Sequence, residues 1–167
     1  MSTVQKIIGA LLRPRVKQLA RGRTIEDLAQ RLEASREPVE AQVFGAADTP
    51  ENREAINHLL GIERWGQSRL RVALGEPFER DSYRGYRLPD DTPLADLQAG
   101  FRDTRSGTIA LARELQQAGV DPGHTVPHND LGDLTLVEWL AYLDGHAARE
   151  RFRIRQKQRS DSHEEDA

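Results

Sequence analysis

Its 167 residues carry 24 basic and 27 acidic side chains, a formal net charge of −3, so overall charge gives no support to nucleic-acid binding. Cysteine is absent, which excludes disulfides, thiolate metal sites, iron–sulfur clusters and a cysteine nucleophile. With 37% hydrophobic and 31% charged residues the chain has the make-up of one soluble domain with a sizeable core.

Residues 1–23 form a basic N-terminal extension: Lys6, Arg13, Arg15, Lys17, Arg21 and Arg23 occur without an acidic residue. Ile7, Ile8, Leu11 and Leu12 make an apolar patch before Pro14. That run is too short for a signal segment or a membrane span, so no membrane partner is expected and a cytoplasmic location follows by default. The extension is expected to be a short accessory helix packed on the domain.

The domain proper is read as residues 24–156. Thr24 can cap a helix with Asp27 three positions on, and Ile25, Leu28, Leu32, Val39 and Val43 mark one face at helical spacing. The spacing predicts a first bundle helix over 24–44. A second follows with Thr49 or Asp48 as cap, Pro50 at its first position and Glu51 in the first turn, ending near Gly75. Residues 75–91 lack periodicity and read as a long surface connection. Thr92 and Pro93 open a third helix, whose stripe Leu94, Leu97, Phe101, Thr108, Leu111 and Leu115 runs to Gly119. Residues 119–132 read as a loop holding His124 and His128, and no run with strand periodicity stands out.

The fourth helix begins at a capping box, Thr135 with Glu138. Leu136, Leu140, Leu143, Ala147, Glu150 and Ile154 recur along it at three- and four-residue spacing. The polar tail 157–167 is expected to be disordered, and His163 within it carries no weight. The fold class expected is all-α, a four-helix bundle with a short extra N-terminal helix.

Two potential metal ligands stand on the fourth helix. His146 and Glu150 are four residues apart, so their side chains leave the same side on adjacent turns. Against this stands an ordinary edge histidine beside a Glu paired with Arg151 or Arg153. An open metal site needs about three protein ligands, and His58 on the second helix is the natural third, because bundle sites are assembled from facing helices. On the helical wheel, however, His58 falls with Ile62, Trp65 and Val72, opposite the face of Ile56, Leu59, Leu60, Leu70 and Leu74 that includes Glu63. Either the second helix is apolar on two sides, one facing the core and one a partner, or His58 is a surface histidine. A buried Glu63 would need a partner, either a ligand histidine's second N–H or an Arg of a neighbouring helix. HExxH, Gly-rich phosphate loops, G-x-S-x-G elbows and paired Glu-x-x-His motifs are absent.

Two stretches, INHLLGIERWGQSRL and HNDLGDLTLVEWLAYLDGHAARERFRI, resemble the DinB/YfiT-like superfamily of small four-helix-bundle metalloenzymes over about residues 24–155. The first is similar to the family's second-helix pattern of His, Glu five residues on, an aromatic and Arg-Leu. The second is similar to its His, Gly, Leu-Thr-Leu run and terminal His-x-x-x-His helix. The resemblance implies a homodimeric bundle holding a divalent metal (nickel, zinc, iron or manganese) on His58, His146 and residue 150, here Glu where the pattern has His. It also implies hydrolase or low-molecular-weight-thiol transferase chemistry on a small-molecule substrate. Glu63 is then the candidate for orienting a ligand or handling a proton. The competing expectation is a non-catalytic, stress-associated binding bundle that has lost the ion.

Overall fold

A computed structural model describes residues 3–157. Five α-helices occur among them: α1 (Thr3–Ala20), α2 (Ile25–Phe44), α3 (Pro50–Arg71), α4 (Leu94–Gln117) and α5 (Leu136–Glu150). Two short strands, β1 (Thr125–His128) and β2 (Gly132–Thr135), precede α5. The chain is therefore mostly helical, with one small sheet. No helix of the described residues is long and apolar enough to cross a membrane. The tail from residue 158 onward, with His163, lies outside the described residues.

The helix starts follow the expected chemistry. Thr24 Oγ1 accepts the Asp27 amide at 3.1 Å while the Asp27 carboxylate accepts the Thr24 amide at 2.7 Å. Thr135 and Glu138 make the same reciprocal pair at α5. Thr49 caps α3 with Pro50 in the first turn. Helix α4 departs from this pattern, since Pro93 stands at its cap and no side chain caps it.

Helices α2 and α3 each pack on both α4 and α5, and α1 lies against α5. Helix α1 runs through Pro14, with Val16 and Ala20 contributing to the core. Every member of the α4 stripe, Leu94, Leu97, Phe101, Thr108, Leu111 and Leu115, is buried. Gly66 lets α3 approach α5, because a Cβ there would come within 2.5 Å of Leu143 Cδ2.

Helix α3 is buried on two sides, and the second is covered by the chain itself. Asn57 pairs with the backbone of Leu88 like a peptide group, donating to its carbonyl and accepting its amide, both at 2.9 Å. Gly61 leaves room for the connection to lie flat, since a Cβ there would meet Arg87 Cγ at 2.7 Å and the Tyr83 carbonyl at 2.9 Å. Asp81 is the hub of this packing. Its carboxylate accepts Trp65 Nε1 at 3.1 Å, Arg69 Nη2 at 2.7 Å and the Tyr86 hydroxyl at 2.5 Å. Residues 75–91 are the expected surface connection, strapped over α3 and carrying one 3-10 turn (Tyr83–Tyr86). The doubly apolar α3 no longer argues for a partner, and the homodimer rests on the family resemblance alone.

The reading of residues 119–132 as loop is corrected by the hairpin. β1 and β2 pair antiparallel, from Thr125 opposite Thr135 to His128 opposite Gly132. Four-residue strands, one containing Pro127, are too short for a period-two pattern to stand out. Gly132 takes φ 75°, the left-handed value that glycine adopts without strain.

Candidate functional site

The hairpin, the strap and helices α3 and α5 meet around a cavity of about 540 Å³. His58 enters from α3, beside Ile62 and Trp65; His146 enters from α5; and Tyr83 comes from the strap. The Nε2 atoms of His58 and His146 lie 3.3 Å apart. His58 therefore faces a cavity and is no isolated surface histidine. Tyr83 stands edge-on to the His58 ring, with centroids 5.0 Å apart.

Both imidazoles are held toward the neutral form. Burial lowers the pKa of His58, with Glu150 opposing. His146, only 6% exposed, is pushed down to about 3 by burial and then by His58 beside it. A neutral imidazole keeps one nitrogen lone pair, so this pair can share a proton or supply two donors to a cation.

Glu150 lines the same cavity, one turn beyond His146. Its carboxylate is engaged on both oxygens: Arg149 Nε donates to Oε1 at 3.3 Å and Arg153 Nη1 to Oε2 at 2.8 Å. Burial alone would raise its pKa, but the bond from Arg153 and the charges around it hold it below the ordinary carboxylate range. Among the described residues no three His, Asp or Glu side chains are gathered as a ready-made metal cluster. The structure brings His58 and His146 together and leaves Glu150 beside them but turned to arginines.

Glu63 is elsewhere. It is buried in the core at 2% exposure, with Arg105 Nη2 of α4 at 3.1 Å from its Oε2. Its carboxyl is pushed up by burial, with Arg105 pulling against it. The suggestion that Glu63 orients a ligand histidine is thereby corrected: its partner is the arginine of a neighbouring helix.

Of the two hairpin histidines, His124 is exposed and His128 lines the cavity. His128 Nδ1 accepts the amides of Asp130 at 3.1 Å and Leu131 at 3.2 Å, which places its proton on Nε2 and closes the hairpin turn. Its ring packs against Trp65, Trp139 and Tyr142 at centroid distances of 4.8–5.0 Å. Burial then depresses its pKa to about 3. Among the described residues its buried Nε2 has no hydrogen-bond partner.

Tyr142 went unrecognised in the sequence although it precedes His146 by one turn, as His146 precedes Glu150. It stands edge-on to His128 and lies tilted against His146. Tyr83 and Asp81 carried no comparable signal, because only the folded strap brings them to α3.

No protein-family model, curated protein or solved structure matches this chain. What the fold and the site define is a mostly helical protein with a paired-imidazole cavity between two of its helices.

Proposed function

We propose that this cavity is the divalent-metal centre of a DinB/YfiT-like metal-dependent enzyme, with His58 Nε2 and His146 Nε2 as nitrogen ligands and Glu150 as the carboxylate. The observation that carries the reading is the 3.3 Å separation of the two Nε2 atoms. Zinc–nitrogen bonds of about 2.0–2.1 Å in a tetrahedron place neighbouring ligand atoms about 3.3–3.4 Å apart. Two neutral imidazoles and one carboxylate also form a known open donor set. When bound, such an ion would supply Lewis-acid chemistry, activating water for hydrolysis or a thiol for transfer. The protein's own part is to keep both imidazoles neutral by burial, to fix their rings against Tyr83 and Tyr142, and to present Glu150 once its arginine partners yield.

The engagement of Glu150 by Arg149 and Arg153 favours a second reading, a metal-free binding bundle in which the histidines share a proton. Elemental analysis of the untagged protein, the His58→Ala variant and the His146→Ala variant separates the two. The metal-centre reading expects a stoichiometric ion in the wild type and none in either variant. It is overturned if reconstituted wild type holds no ion, or if both variants keep theirs.

A further inference from the structure

A second, smaller cavity of about 210 Å³ lies between α1 and α5. It is lined mainly by apolar groups, among them Val16 and Leu19 of α1 and Ala141 and Gly145 of α5. Gly145 keeps it narrow and open at once: α1 comes so close that a Cβ would lie 3.0 Å from Leu19 Cδ1. The two cavities have Leu12, Tyr142, His146 and Arg149 in common, so His146 stands where they join.

The charge at this junction is specific. Arg149 lines both cavities, and Arg15 lines the smaller one. Arg149 is paired to Glu150 through Nε at 3.3 Å, and its side chain, 45% exposed, leaves the terminal nitrogens of the guanidinium fork accessible. A planar fork with two such nitrogens suits a carboxylate.

We infer that the site takes a small carboxylate with a short unbranched apolar tail, its head beside Arg149 at the paired histidines and its tail in the groove between α1 and α5. The inference rests on the large cavity being the binding site, as proposed above, but not on the presence of an ion. A groove of this size holds a short chain and no bulky ring system.

The test is titration with straight-chain carboxylates from acetate to decanoate, on protein as purified and after chelator treatment, followed by calorimetry. Affinity is expected to rise by up to about fourfold for each methylene buried, then level off once the groove is full. Gly145→Leu, which fills the groove from the α5 side, should lose the rise of affinity with chain length. Arg149→Gln should weaken every member of the series alike. An affinity independent of chain length in the wild type, or no binding by any member, overturns the inference, as does an undiminished chain-length trend in a folded Gly145→Leu variant. A chain-length trend that survives chelation while the wild type holds no metal would remove the ion and leave this subsite standing.

Discussion

Two ionisable groups of helix α3, the buried Glu63 and the half-buried His58, have opposite surroundings. Glu63 points into solid core, where its counter-charge is the fully buried Arg105. His58 points into a cavity, where its neighbour His146 is a like group and both are held neutral. A buried charge needs a counter-charge, and Arg105 holds Glu63 in an ion pair within the core. A neutral imidazole pair at a cavity wall keeps lone pairs that are not committed to packing. The sequence offers both as polar residues on one helix; only the surroundings separate the structural pair from the chemical one.

The sharpest way to break this contrast is to remove Arg105. The Arg105→Met variant leaves the Glu63 carboxylate buried without its partner and should lose about 3–5 kcal/mol of stability in urea unfolding. Adding Glu63→Leu should recover most of that loss. If the single variant is as stable as wild type, the pair is not buried as described. Metal content and carboxylate binding should be unchanged in the double variant, because neither side chain lines the cavity.

Asp81→Ala tests the strap rather than the core. It removes the acceptor for Trp65, Arg69 and Tyr86 and leaves Arg69, 1% exposed, with backbone carbonyl partners only. Hydrogen bonds to charged groups contribute about 1.5–3 kcal/mol each when buried, but the Asp81 side chain is 29% exposed and water replaces part of the loss, so about 2–4 kcal/mol in total is expected by the same measurement. Unlike the core variants, this one should also weaken ligand binding, since Tyr83 would lose its anchor over His58. Retained affinity with lowered stability would mean that the strap does not shape the cavity.

Acid separates a buried imidazole from the strap carboxylate by pH window rather than by sign, since both lose their stabilisation as pH falls. His128 has an unfolded pKa of about 6.5, and burial lowers its folded value to about 3. Between these values the unfolded chain binds more protons, so the stability gained by a neutral His128 is complete above about pH 6.5 and is lost as pH falls. The slope should reach up to about 1.4 kcal/mol per pH unit for such an imidazole. Asp81 behaves later. Burial would raise its pKa, but the Tyr86 hydrogen bond and Arg69 override burial and lower it, so its contribution persists until pH drops below the ordinary carboxyl range near about 3.9. Urea curves at pH 7, 6 and 5 should therefore show a loss from histidine alone, and stability flat over that range would show that His128 is not buried neutral.

The helices were legible because each carries its own punctuation and stripe. Thr24 with Asp27 and Thr135 with Glu138 are local pairs, and local pairs need no tertiary information. The convergence of His58 and His146 was legible through the family resemblance, and the wheel set His58 with Ile62 and Trp65 but left open whether that side is covered. It is covered, by the strap rather than by a partner. The strap escaped notice for a different reason from the short-stranded hairpin: its order comes from Asp81, Asn57 and Gly61 meeting residues distant in sequence, and composition showed only Gly, Pro and Asp.

The smallest expected effect bears most directly on the site. Arg153 is exposed, with 69% of its side chain accessible, and its bond to Glu150 is a surface ion pair. Such a pair contributes about 0.2–1 kcal/mol or less, so Arg153→Ala should barely move the urea midpoint. Glu150, however, would lose its shorter arginine contact and be freer to turn toward the imidazoles. If Glu150 is the third ligand, the variant should bind zinc more tightly than wild type in a competition titration with a chromogenic chelator, and Glu150→Gln should abolish that gain. Equal zinc affinity in wild type and Arg153→Ala would leave the carboxylate as an arginine partner and the histidine pair as a two-nitrogen site, the arrangement the metal-free binding bundle requires.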